Sequence, residues 1–307
     1  MVFPLTRFLK YGIIKANINR NRRNTMSRET NIAVFEDTER FCGTNSSIIK
    51  RIEDARAGQT IYPENGTVQG VSLDRYAEEA NVLVSGKRTF EAASVYKDLN
   101  VAVLNFASAT HPGGGVVNGS NAQEECLCRC SDLYFCLNTR PMWDGFYNPH
   151  RAERNPLHND DIIYTPGITV FKTDTAIPEI MPARMWYDVN VITCAAPNLK
   201  SNPQKKDEPY PISDKDLYDL HVKRFKRILE VTSAEGNEAV ILGAFGCGAF
   251  RNDPKVVAEA AYTATREFLH AFRTIEFAVY CRRGAENENY NAFSKVFQKA
   301  QAKKDIL

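Results

Sequence analysis

Residues Asn105 to Tyr134 read NFASATHPGGGVVNGSNAQEECLCRCSDLY. An apolar run, Val101 to Leu104, leads into this stretch and reads as a buried strand. The chain then passes three consecutive glycines, Gly113, Gly114 and Gly115. Eight residues after Gly115 come Gln123, Glu124 and Glu125, at the head of a helical pattern that Leu127, Cys130, Tyr134 and Leu137 continue. Strand, glycine loop and helix in that order bring backbone N–H groups close to an anionic ligand. Two adjacent carboxylates beside the loop suit acid/base chemistry on a phosphate-bearing substrate. They also fit a plainer role, since acids in a helix's first turn stabilise it by about 0.3–1 kcal/mol.

Further along, Val240 to Leu242 reads as another buried strand, followed by Gly243, Gly246 and Gly248. Asp253 fits an N-cap and Pro254 the first helical position after it. Strand, flexible loop and helix N-terminus together suit a diphosphate. The order G-x-x-G-x-G is not a dinucleotide fingerprint, and no Gly-Lys-Ser/Thr follows to make a Walker A loop. Phe245 and Phe250 flank the second loop, and each fits either core packing or ligand contact.

Val189 to Thr193 and Ile275 to Tyr280 are two more continuous apolar runs. Helical spacing recurs at Val222, Phe225, Ile228 and Leu229, and at Val257, Ala260, Ala261, Ala264 and Phe268. Such alternation predicts an α/β fold, a mixed sheet between helical layers. Asn138–Asp161 and Lys200–Lys215 read as long polar loops that border the pocket. Residues 29–98 read as an N-terminal helical cap on the core at 99–307, with Gly58 ending one helix and Val82 to Val84 as a strand.

The chain's 307 residues suffice for one large or two small domains, and its 43% hydrophobic and 25% charged shares are those of a globular protein. A net charge of +2 does not support direct nucleic-acid binding by electrostatics, and no apolar run approaches the roughly 20 residues of a membrane span. Eight cysteines read as reduced, intracellular thiols. Cys126, Cys128, Cys130 and Cys136 crowd together, but C-x-C-x-C lacks the paired C-x₂-C spacing of zinc sites, so no metal is expected there. Residues 1–28 carry seven basic residues from Arg7 to Arg28 and no acid. That leader reads as a mitochondrial transit peptide or as a disordered extension with Met26 as an alternative start.

The words VLNFASATHPGGG, AQEECLCRCSDLY and LGAFGCGAFRNDP, with ITCAAPN (Ile192 to Asn198) between them, resemble the microbial-type poly(ADP-ribose) glycohydrolases. The resemblance runs from near Gly70 to near Phe293 and faintly back to Arg28. It implies a three-layer α/β/α macrodomain with a mixed central sheet and an N-terminal helical extension. It implies hydrolysis of the ribose–ribose bond of poly(ADP-ribose), with ADP-ribose as product, no cofactor and no metal. Glu125 is then the general acid and base, and Glu124 orients the ribose. A raised pKa on the acting group follows from partial desolvation beside a second carboxylate. Asn105, Gly113, Gly114, Gly115, Asn118, Gln123, Gly243, Phe245, Gly246, Cys247, Gly248, Ala249 and Phe250 make up the substrate side, with Phe250 against the terminal ribose. Tyr290 or Phe293 is a candidate for stacking on the adenine. The partners implied are poly(ADP-ribose) and ADP-ribosylated proteins, met by a monomer in the cytoplasm or nucleus. Three other readings stay open on the same residues: a hydrolase of single ADP-ribose units on protein or DNA, a non-catalytic ADP-ribose reader, and a nucleotide-binding scaffold.

Overall fold

The computed structural model describes residues 27–304 apart from 201, 203, 204, 206, 207 and 283, so the basic leader lies almost wholly outside the described residues. The strands are β1 (Thr60–Tyr62), β2 (Asn81–Ser85), β3 (Val101–Phe106), β4 (Ile162–Val170), β5 (Tyr187–Cys194), β6 (Ala239–Leu242) and β7 (Thr274–Ala278). They form one seven-stranded sheet in the order β1-β4-β5-β3-β6-β7-β2. β1, β4 and β5 pair antiparallel, and the pairs from β5 to β2 are parallel, so the sheet is mixed as expected.

Strand periodicity sends alternate side chains to opposite faces. On β3, Val101 and Val103 join one apolar cluster while Ala102 and Leu104 join the other. The first face is covered by α1 (Arg28–Thr44), α2 (Ser46–Ala57), α3 (Thr89–Ala93), α4 (Gln123–Cys130) and α5 (Leu133–Leu137), through Phe35, Ile48, Phe90, Leu127 and Leu133. After the short α6 (Asn148–Glu153), the second face is covered by α7 (Asp214–Ala234), α8 (Pro254–Thr265) and α9 (Glu288–Lys304), through Phe225, Ile228, Val257, Phe293 and Phe297. The result is helix layers on both sides of a sheet.

Local chemistry sets the helix starts. Ser27 Oγ accepts from the Thr30 N–H on α1, and Asn45 Oδ1 accepts from Ser47 and Ile48 on α2. Asp253 caps α8 through the Lys255 N–H at 2.8 Å, with Pro254 first in the helix, as its sequence predicts.

The structure departs from the sequence reading in several places. The strand expected at Val82 to Val84 is β2 at one sheet edge, but the other edge, β1, was not expected and also comes from the segment 29–98. The helix expected through Leu137 breaks at Ser131, which forms an isolated bridge with Val170. Residues 138–161 are largely helical, through Arg140–Met142, a π turn at Trp143–Tyr147 and α6. No residue of that stretch lines the main cleft; His158 instead meets Phe250, with ring centroids 6.2 Å apart. Phe293 is fully buried against Phe277, and Tyr290 packs on the same core.

Candidate active site

Parallel strands β3 and β6 end side by side, and the two glycine loops leave from those ends. Between them lies a cleft of about 700 Å³. Glu124, Glu125, Gly114 and Ser108 line one wall, and Gly246, Gly248, Ala249 and Phe250 another.

The first loop is folded onto the carboxylates. Gly113 and Gly114 are consecutive left-handed residues, at φ +66° and +58°. A side chain on Gly114 would place its Cβ 2.6 Å from Glu125 Oε1 and 3.0 Å from Glu124 Oε2, so only glycine allows that approach. The N-cap of α4 is Ala122, whose methyl cannot accept a hydrogen bond, and Glu125 reaches back instead, accepting from the Ala122 N–H at 2.9 Å. Its other oxygen accepts from the Gly115 N–H at 2.9 Å. The first-turn carboxylate therefore does cap its helix, and it does so at the cleft.

Glu124 points toward β3. Its Oε2 accepts from the Ser108 N–H at 2.7 Å and its Oε1 from Asn105 Nδ2 at 3.3 Å. Burial pushes this carboxyl up to about 8; the Ser108 N–H pulls it down, and the Glu125 charge raises it. Glu124 thus carries a proton through much of the neutral range. Asn105 is fully buried behind it, bridging to Thr193 Oγ1.

Gln123 lines the cleft, but its side-chain amide is engaged inward. Its Oε1 accepts from the Phe106 N–H, and its Nε2 donates to the Leu104 carbonyl and Thr89 Oγ1. It pins the head of α4 to the end of β3. Asn118 is exposed, away from the cleft lining, and its carbonyl accepts from Arg28 Nε at 2.6 Å. Asn31 of α1 donates to the Gly119 carbonyl, so the N-terminal helix holds the far side of the loop.

In the second loop, Gly246 is left-handed at φ +81°. Asn252, which sequence reading passed over, organises this loop: its Nδ2 donates to the carbonyls of Pro197 and Gly246, and its Oδ1 meets His221 Nε2 at 2.8 Å. The two aromatics separate in role. Phe245 is fully buried against Phe106, Phe225 and His221, whereas Phe250 is half-buried and lines the cleft. Gly243 and Cys247 shape the loop without lining the cleft, as do Gly113 and Gly115 in the first.

One end of the cleft has residues with no site role in the sequence reading, Tyr280 among them: it reads as the end of a strand, but the strand stops at Ala278. Lys87 and Arg88 follow β2, and Tyr280 follows β7, its neighbour in the sheet. Arg88 stacks over the Tyr280 ring at 4.1 Å, and Tyr280 is 47% exposed. Asp174 and Asn289 complete that end. Of the clustered cysteines, Cys126 lines the cleft and Cys128, Cys130 and Cys136 are buried thiols, each pushed up by burial. Among the described residues no helix is long and apolar enough to cross a membrane.

Comparison with known proteins agrees with this architecture. A family model described as microbial-type PARG, catalytic domain, matches residues 28–173. The crystal structure of poly(ADP-ribose) glycohydrolase from Thermomonospora curvata superposes with a TM-score of 0.75 at 28% identity, covering 88% of this chain and 100% of that one. The same enzyme bound to the inhibitor ADP-HPD gives 0.71 at 29% identity, over 87% of this chain and 99% of that one. A variant of the Deinococcus radiodurans enzyme in complex with ADP-ribose gives 0.70 at 31% identity, over 81% of this chain and 98% of that one. No curated protein sequence matches. With a shared fold and 31% identity over nearly the full length of a solved relative, the chain belongs to the microbial-type poly(ADP-ribose) glycohydrolases, a family of glycoside hydrolases.

Proposed function

We propose that Glu125 performs both proton transfers in hydrolysis of the ribose–ribose O-glycosidic bond of poly(ADP-ribose). Protonated Glu125 donates to the leaving ribose oxygen as the C–O bond breaks, and positive charge develops on the anomeric carbon. The Glu125 carboxylate then takes a proton from water, whose oxygen bonds to that carbon. ADP-ribose leaves, and Glu125 is again protonated. Glu124 holds a ribose hydroxyl; keeping it neutral over much of the neutral range avoids two adjacent negative charges.

The observation that carries this reading is the fusion of binding loop and acid. The glycine loop that borders the cleft at Gly114 is the loop that grips Glu125, through the Gly115 N–H at 2.9 Å. On this reading the diphosphate lies between residues 113–115 and 243–248, and the terminal ribose packs on Phe250. The adenine stacks on the exposed face of Tyr280, beside Arg88, rather than on Tyr290 or Phe293. The partners on this reading are poly(ADP-ribose) and ADP-ribosylated proteins, met by a monomer. All eight cysteines are free, which fits a reducing compartment such as the cytoplasm or nucleus.

The test is to incubate the purified protein with poly(ADP-ribose) and, separately, with a mono-ADP-ribosylated peptide, and to measure ADP-ribose by chromatography. Release from the polymer is expected. Release from the single-unit peptide alone would overturn the chain-hydrolase reading, and binding without release from either would leave a reader.

A further inference from the structure

Arg129 lies one helical turn after Glu125, on the same face of α4, and is 1% exposed. Its position in the last turn suggests a cation placed against the helix's negative end. The side chain does otherwise. It runs back toward the helix N-terminus, as helical side chains do. There Nη1 donates to the Ser120 carbonyl at 2.6 Å and Nη2 to Asn121 Oδ1 at 2.7 Å. The third contact is Cys126 Sγ at 3.3 Å. All three are neutral groups, so among the described residues this buried cation is held by loop and thiol rather than by a carboxylate.

The Ser120–Asn121 corner is where both grips on Glu125 originate. The Ser120 N–H donates to the Gly115 carbonyl at 3.1 Å, and the Gly115 N–H donates to Glu125 Oε1. Ala122, next after the corner, donates to Glu125 Oε2. We propose that Arg129 is a positioning residue for Glu125: its guanidinium locks the corner from which the glycine loop and the helix start together aim the carboxylate. Glu125 touches the reacting bond; Arg129 acts through it. A carboxylate displaced by about an ångström loses on the order of 10²-fold in rate even when the substrate still binds.

This inference rests on the assignment of Glu125, and the experiment separates the two. Arg129→Met, Arg129→Lys, Glu125→Gln and the natural protein are compared for kcat and KM on poly(ADP-ribose), for ADP-ribose Kd by calorimetry, and for melting temperature. Arg129→Met is expected to lower kcat by about 10²-fold while the ADP-ribose Kd stays within about threefold. Arg129→Lys, whose single ammonium cannot span both oxygens, is expected to recover part of that loss. Natural kcat in both folded variants overturns the inference, and so does a loss of kcat matched by an equal loss of ADP-ribose affinity. If Arg129→Met does not fold, Arg129→Lys decides: full kcat overturns, reduced kcat with unchanged Kd supports. An active Glu125→Gln removes the underlying reading and this inference with it. An inactive Glu125→Gln beside fully active Arg129 variants removes this inference alone.

Discussion

The backbone N–H of Gly115 donates to Glu125 Oε1 at 2.9 Å, across ten residues of sequence. That bond joins the first glycine loop to the carboxylate proposed to react, so the geometry of one cannot change without the other. Gly114 is the tightest point of the junction. Gly114→Ala would set a Cβ 2.6 Å from Glu125 Oε1 at a backbone φ of +58°. The strained backbone costs about 1–2 kcal/mol, and the displaced carboxylate about 10²-fold in kcat. Chemical denaturation and steady-state kinetics on the folded variant check both.

Glu124 sets a pH dependence of stability. Its carboxyl is raised by burial from 4.5 to about 8, so the folded state holds a proton that the unfolded state has released. Stability from this group is full below pH 4.5 and is lost as pH rises through about 8. Asp132, also raised to about 8 by burial, acts in the same sense. His158 and His221, lowered by burial to about 3 and about 4, act oppositely, but only below their ordinary value of 6.5. Above pH 6.5 the carboxyls dominate. The melting temperature is therefore expected to fall from pH 6.5 to 8, and less steeply in Glu124→Gln. An unchanged slope would contradict the assignment.

The two aromatics of the second loop should fail differently. Phe245→Ala removes a fully buried ring from between Phe106 and Phe225. It is expected to cost about 3–5 kcal/mol in stability. Phe250→Ala, at the half-buried cleft wall, should leave the melting temperature nearly unchanged and reduce kcat/KM by about tenfold or more. Thermal melts beside kinetics separate the two.

Tyr280→Ala tests the proposed adenine end. A base–aromatic stack contributes about 1–3 kcal/mol, so ADP-ribose Kd should rise by about tenfold. The chemistry is proposed at Glu125, away from Tyr280, so kcat should stay within about threefold. Calorimetry with ADP-ribose, and with ribose 5-phosphate as a probe lacking the base, reads this directly: only the first should weaken.

Much of this was legible in the sequence because the decisive features are local. Val101 to Leu104 and Val240 to Leu242 are continuous apolar runs because parallel strands are buried on both faces. Asp253-Pro254 announced α8 by its capping chemistry. What was not legible depends on strand order or on side-chain direction. β4 was hidden by Pro166-Gly167, where the pairing register shifts and Gly167 turns at φ +65°. The Arg88–Tyr280 stack joins residues that meet only because β2 lies beside β7. Gln123 reads as a ligand contact from its place before the acids, yet its amide turns inward to Phe106, Leu104 and Thr89. Residues 138–161 looked like loop because their polar composition masks short helices.

The most direct measurement pairs ADP-ribose release from poly(ADP-ribose) with ADP-ribose binding, for the natural protein and Glu125→Gln. The amide keeps the size of the side chain and removes its acid and base functions. Release is expected to fall by about 10²-fold or more while the ADP-ribose Kd stays within about threefold. Release by Glu125→Gln at the natural rate would contradict the account, because the carboxylate gripped by Gly115 and Ala122 would then be only a helix cap.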